Sequence, residues 1–243
     1  MKAHPTKSFL LKTSRAKFCA GATSIALALG TLGVAHADLI PYGNPGTINP
    51  TIYTFTAASS GVITAYFAGS DAGYHSVIGM LVNGVSTGIT GLDNHTSTVG
   101  QSMVLGNVNA GDTLTFVLLN LSLGLNAYSN PSLNGPYDAA GGGSGVGQNH
   151  VYSTAYTRTS DIGGGLPIPL SANIPVGTYV GFEDIYIPGN STTFPDYDYN
   201  DETFIFANVS TGVPDAASSA GLLGMSLAGI GLLRRRFCAA VVN

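Results

Sequence analysis

Between residues 38 and 212 the chain is cut every few residues by Gly, Asn, Asp or Pro, and the pieces between the cuts are rich in Val, Ile, Thr, Tyr and Phe. β-Branched and aromatic side chains suit a pleated, half-buried surface, and the interrupting residues supply the backbone angles of tight turns. No piece carries apolar residues at the 3.6-residue spacing of a helix. The pattern predicts strands near 52–57, 61–68, 77–82, 102–108, 113–121, 151–156, 179–187 and 203–209. Strands at that spacing predict an all-β fold, a jelly-roll-like β-sandwich of one domain over 38–212. Asn83-Gly84 offers two residues that tolerate positive φ and predicts a hairpin, and Ala110-Gly111-Asp112 predicts a strand-entry turn. The Gly-rich stretch 134–149, with Tyr137 and Val146 as its sizeable apolar groups, is expected to be a mobile surface loop, with a linker between two smaller domains as the alternative.

Nearly all the basic charge lies outside this middle. Lys2, Lys7, Lys12, Arg15 and Lys17 precede an apolar run over 18–34, and Ala35-His36-Ala37 puts small side chains at the two positions a signal peptidase must fit. Residues 1–37 are therefore expected to be a signal peptide, cut before Asp38. At the other end, Val213-Pro214-Asp215 is followed by an uncharged stretch over 216–233 and then by Arg234-Arg235-Arg236. Residues 216–233, at about 1.5 Å each, make about 27 Å of helix, enough to cross a hydrocarbon core. The arginines are expected to stay on the cytoplasmic side, which places 38–212 beyond the inner membrane.

This order of Val213-Pro214-Asp215, small residues Ala216, Ala217, Ser218 and Ser219, a Leu/Gly/Ala helix and a closing Arg cluster resembles the PEP-CTERM type of sorting signal in its Val-Pro-Asp variant. Ala216 and Ala217 stand where that variant usually has Ser and often has Gly. The resemblance implies recognition by an exosortase, a transpeptidase-like membrane enzyme. It also implies removal of the tail and delivery to the cell surface or exopolysaccharide matrix.

Charge and cysteine usage narrow the function classes. Residues 38–212 contain no Lys, one Arg (Arg158), ten Asp and two Glu, a formal charge of −11 against −4 for the whole chain. Such a surface repels nucleic acid and anionic lipid and favours cations, neutral sugars or other proteins. Cys19 and Cys238 both fall in the terminal segments, so the middle has no disulfide, thiol nucleophile or sulfur metal site.

The densest cluster of functional side chains is Phe182-Glu183-Asp184-Ile185 followed by Phe194-Pro195-Asp196-Tyr197-Asp198-Tyr199-Asn200-Asp201-Glu202. In extended backbone Asp196, Asp198 and Asn200 project to one side, with Tyr197, Tyr199 and Asp201 on the other. Three oxygen donors on one side suit Ca²⁺, which takes about six to eight oxygens and tolerates irregular geometry. An EF-hand counted from Asp196 would need Gly at 201 and Glu at 207, where the chain has Asp201 and Ala207. A calcium site is therefore expected to be of a sheet-and-loop kind, with Glu183 or Asp184 added if the hairpin folds back. The alternative is an acidic, solvated turn.

Tyr179-Val180-Gly181-Phe182-Glu183-Asp184-Ile185, together with the Asp-x-Asp-Tyr-Asn-Asp run ending in Phe206, resembles the C-terminal boxes of a bacterial domain of unknown function often found on PEP-CTERM proteins. Asn149-His150-Val151-Tyr152 fits the same pattern. The resemblance implies a β-sandwich with a metal or matrix role and no established reaction.

Catalytic alternatives find less support. His75, His95 and His150 show no zinc-ligand spacing, and each is expected in a loop hydrogen bond or a satisfied core role. No Gly-x-Ser-x-Gly elbow occurs. Glu183 and the Asp cluster supply carboxylates for glycoside hydrolysis, but six within 20 residues suit a cation better than an acid and base with separated pKa values. The expectation is an exported, non-catalytic surface or matrix protein with calcium as cofactor. Its expected partners are signal peptidase, exosortase, the inner membrane in transit, and exopolysaccharide or other surface proteins. A carbohydrate-binding module using surface tyrosines is the first rival, a secreted hydrolase the second.

Overall fold

The computed structural model describes residues 40, 42–143, 145–158, 172–185 and 195–212. Strand β1 (Thr54–Ala57) leads through a short turn to the long β2 (Gly61–Gly69), and β3 (Ser76–Val82) forms a hairpin with β4 (Val85–Gly91). Then come β5 (Ser102–Val108), β6 (Thr113–Asn120), β7 (Leu125–Tyr128), a short helix α1 (Gly135–Ala140), β8 (Val151–Tyr156), β9 (Gly177–Phe182), β10 (Glu202–Ala207) and β11 (Val209–Gly212). One sheet runs β11-β1-β6-β3-β4, with β7 also paired to β6, and the second runs β5-β2-β10-β9-β8. All the pairings are antiparallel. The architecture is the two-sheet, all-β sandwich that the spacing of apolar runs predicts.

Alternation along the strands builds the core. Ile63, Ala65 and Phe67 of β2 are buried, whereas Val62, Thr64 and Tyr66 between them are more open. Aromatic rings then join the two sheets: Phe116 of β6 stacks on Phe206 of β10 with centroids 3.7 Å apart, and Phe55 of β1 meets Phe116 edge-on at 5.1 Å. Such ring pairs add about 0.5–1.5 kcal/mol each beyond the area they bury.

The two turns singled out in the sequence take their expected form and also brace each other. Asn83 and Gly84 both adopt positive φ, 51° and 81°, between β3 and β4. The Asn83 side chain donates to Asp112 Oδ1 at 2.9 Å and accepts from the Thr113 amide at 2.9 Å. Asp112 Oδ2 in turn accepts from the Asn109 amide at 2.7 Å.

Three strands and a helix go beyond the expected set. Strand β4 is largely exposed, β7 has four residues, and β11 is split from β10 by Asn208 at φ 65°. Helix α1 lies inside the Gly-rich stretch 134–149, and its Tyr137 and Asp138 are fully buried, so this part is not the open surface loop the composition suggests. Strand β9 stops at Phe182 rather than running on to 187. The signal peptide with Ala35 and Ala37, Val213, Pro214 and Asp215, the hydrophobic stretch 216–233 and Arg234, Arg235 and Arg236 lie outside the described residues. Among the described residues no helix is long and apolar enough to cross a membrane.

Candidate cation centre

The end of the β9–β10 hairpin gathers the acidic residues, and strand register decides which way each one faces. Glu202 pairs with Phe182, and Phe204 pairs with Val180, so these four side chains share the inner face of the second sheet. Glu183 and Asp201 flank that pair just beyond the strand ends, and the Asp201 side chain reaches both Glu183 and Asp184. Asp184, beyond the end of β9, is buried and lies against both Asp201 and Glu202.

The outer group comes together as the sequence suggests, though by a different backbone. Ligand oxygens of Glu183, Asp196 and Asp198 lie within 4.8 Å of one another. Glu183 is fully buried and both of its carboxylate oxygens lack a hydrogen-bond partner, while Asp196 is exposed. The segment is not an extended strand, however, because Tyr197 and Tyr199 both sit at positive φ, 53° and 56°. A left-handed backbone disfavours a bulky side chain by about 1–2 kcal/mol per residue, so surrounding contacts must hold it in place. Tyr199 is the anchor: its ring is buried, its hydroxyl accepts from the Asn49 amide at 2.7 Å, and Tyr42 packs edge-on against it at 5.0 Å. Asn200 engages Asp198 through both of its nitrogens. Its Nδ2 donates to Asp198 Oδ2 at 2.6 Å and its amide to Asp198 Oδ1 at 3.2 Å, so it orients the Asp198 carboxylate.

The inner group is more deeply buried. Asp184 is 1 % exposed, Glu202 0 % and Asp201 7 %. Asp201 Oδ2 accepts from the Asp184 amide at 2.7 Å, which ties the two sides of the hairpin together. Asp184 Oδ2 and both oxygens of Glu202 have no hydrogen-bond partner among the described residues. Arg158, the one Lys or Arg among the described residues, is exposed and bonded to Asn173.

Carboxylates crowded in this way resist ionisation. Burial, followed by the charges of Asp196 and Asp184, pushes the Glu183 carboxyl up to about 8. Burial and then Glu183 push Asp201 to about 11, and burial and then Asp184 carry Glu202 well above the usual carboxylate range. Asp184 and Asp198 are each raised to about 6, with burial the leading cause for both.

A rigid polar frame stands behind the acids. His150, fully buried, has Nδ1 2.8 Å from the Glu183 carbonyl and Nε2 2.8 Å from Asp138 Oδ1. A carbonyl only accepts, so Nδ1 carries a hydrogen, and a further proton lies between Nε2 and Asp138. Glu183 donates its own amide back to the His150 carbonyl at 3.0 Å. The Tyr137 hydroxyl of α1 donates to the Asp184 carbonyl, and Asn120 Nδ2 donates to Tyr137 at 3.2 Å and to that same carbonyl at 3.4 Å. His150 thus fills the satisfied core role expected of it. His75 and His95 stack at 4.8 Å, with His75 Nε2 2.5 Å from Asp93, at a separate surface site.

Sequence reasoning did not select Glu202, although the rule of two puts it on the face of Phe204 and Phe206. Asp71 is a second omission; its amide donates to the Asn200 carbonyl at 3.2 Å and its charge acts on Asp198. Ser76 and Asp138 are brought in by strand register and by α1, for which no local signal exists.

Residues 212–237 match the VPDSG-CTERM motif, a variant of the PEP-CTERM exosortase sorting signal. The motif implies processing by an exosortase, export and a surface location. The match does not reach the acidic boxes of the β9–β10 hairpin. Neither a curated protein nor a solved structure matches the chain.

Proposed function

We propose that this chain, sorted to the cell surface by an exosortase, serves there as a non-catalytic structural or adhesive component whose last hairpin is stiffened by calcium. The observation that carries the calcium reading is the trio Glu183, Asp196 and Asp198, with oxygens within 4.8 Å of one another and both Glu183 oxygens buried without a partner. All the donors are oxygen, which favours a hard cation over zinc or copper. The site also borders solvent through Asp196, so an ion has a way in. Extracellular calcium modules bind with dissociation constants of about 10⁻⁴–10⁻³ M, in keeping with a role that is constitutive rather than signalling.

The non-catalytic reading rests on the same carboxylates. Oxygens of the trio lie within 4.8 Å of one another, closer than the about 5–9.5 Å that separates the two carboxyl groups flanking a glycosidic bond. For the carbohydrate-binding alternative the structure offers a recess of about 310 Å³ lined by Tyr42, Asn44, Asn49, Tyr53 and Tyr152. Its tyrosine rings are at most 8 % exposed and two of them pack on one another at 5.1 Å, which leaves little ring face for a sugar.

The test is thermal unfolding of the exported protein with calcium and with chelator. At a calcium concentration of about 100 dissociation constants one site stabilises by about 2.7 kcal/mol. That raises Tm by about 5–10 °C for a domain of this size. Asp198→Ala is expected to cut the rise, and an unchanged Tm in the native protein would overturn the calcium reading. Mass spectrometry of the mature protein is expected to find termini at Asp38 and near Pro214; an intact tail would reduce sorting to anchoring.

A further inference from the structure

The outer trio leaves Glu202 and Asp184 without a role. Strand register puts them in the space between the sheets: Glu202 shares a face with Phe182, Phe204 and Phe206, and from the opposite sheet Ser76 points inward with Ile78 and Met80. Both oxygens of Glu202, Oδ2 of Asp184 and Oγ of Ser76 are buried with no hydrogen-bond partner among the described residues. Asp184 and Ser76 are also the side chains that act most strongly on Glu202.

Among the described residues no cationic side chain is free to neutralise them. Arg158 is exposed, and His150 already has one ring nitrogen on Asp138 and the other on the Glu183 carbonyl. Asn120 Nδ2 faces Tyr137 and the Asp184 carbonyl, and its Oδ1 accepts from the Leu123 amide. Leaving two carboxylates in a protein core without a partner carries a heavy desolvation cost, which a cation bound directly to their oxygens removes.

We propose that a second cation sits between the sheets, bound by Glu202, Asp184 and Ser76, apart from the ion of the outer trio. This inference rests on the calcium reading above and extends it. The two positions differ in depth: Asp184 and Glu202 are 1 % and 0 % exposed, whereas the outer trio reaches solvent through Asp196, and the grouping of that trio within 4.8 Å includes neither Asp184 nor Glu202. The all-oxygen donor set selects a hard divalent ion, and calcium completes its shell with carbonyl or water oxygens. Asp201 couples the two positions, since its carboxylate accepts from the Asp184 amide and feels the charges of both Glu183 and Asp184. An ion in either position thus lowers the repulsion at the other, and the inner ion leaves only when that end of the sandwich opens.

The experiment is native mass spectrometry of the calcium-loaded exported protein, combined with the time course of calcium release into chelator. Two ions per chain are expected, one lost rapidly and one slowly. Glu202→Gln keeps the shape of the side chain and is expected to leave one ion and the fast phase; Asp198→Ala is expected to leave the slow phase. One fast ion in the native protein, with Glu202→Gln unchanged, would mean that Glu202 and Asp184 share a proton, overturning the inner site while the outer one stands. No ion at all would overturn both. Should Glu202→Gln fail to fold, the native count and release phases decide, and Ser76→Ala, a smaller change, is expected to speed the slow phase.

Discussion

Gly181 shows how a single hydrogen atom governs the acidic loop. A Cβ built on it would stand 2.1 Å from the Tyr199 carbonyl and 3.0 Å from the Tyr179 hydroxyl, so the loop that carries Asp196 and Asp198 rests directly on this residue. Backbone cannot yield as a flexible side chain can. Gly181→Ala is therefore expected to destabilise the domain by about 1–3 kcal/mol, typical of overpacking, and to cut the calcium-dependent gain in Tm by moving Tyr199. Melting curves with and without calcium check both effects, and an unchanged calcium response would show that Tyr199 does not set the site. In the sequence Gly181 is one glycine among many, and its contact with Tyr199 exists only because residues 18 apart are folded onto one another. Glu202 is different: its alternation with Phe204 and Phe206 makes its inward direction legible, even though a glutamate at the head of an acid-rich run invites a solvated reading.

At the scale of the element, the β9–β10 hairpin differs from the rest of the sandwich in what holds its open end. Its strands are paired through Glu202 and Phe182, but beyond them the acids repel one another, and Asp201 to the Asp184 amide is the hydrogen bond that closes the turn side. Removing calcium is expected to increase amide exchange at residues 181–185 and 196–203 at least tenfold. The pair β1 and β6 at the far end, held by Phe55 and Phe116, should stay protected. Equal loosening throughout would argue against a local clasp. The strand pattern was readable for long, apolar elements such as β2 and β6. Strand β4, with five of seven residues exposed, and the four-residue β7 and β11 bury too little to leave a periodic trace. Helix α1 was hidden for another reason: Gly and Pro begin it, and what makes it worth forming is the placement of Tyr137 and Asp138 against Asp184 and His150.

For the whole molecule, the absence of lysine and of cysteine from residues 38–212 has one consequence for stability. A sandwich that works beyond the membrane with a charge of −11, no disulfide and a single arginine depends on something other than internal ion pairs to quiet its buried acids. Protons and calcium are the two candidates, and they oppose each other in a way that can be measured. Without calcium, the Glu183 pKa of about 8 lies above its ordinary value of 4.5, so the folded chain binds more protons than the unfolded one between those limits. Stability then rises as pH falls through about 8 toward 4.5, and Asp184 and Asp198, each at about 6, add to the same slope lower in the range. With saturating calcium the ligand carboxylates stay ionised over this window in the folded and the unfolded chain alike, so stability is nearly independent of pH until protonation displaces the ion. Melting temperatures taken from pH 8 to pH 5 are thus expected to climb in chelator, stay level in calcium, and converge toward the acid end. Two parallel curves would show that the acids are quieted by something else.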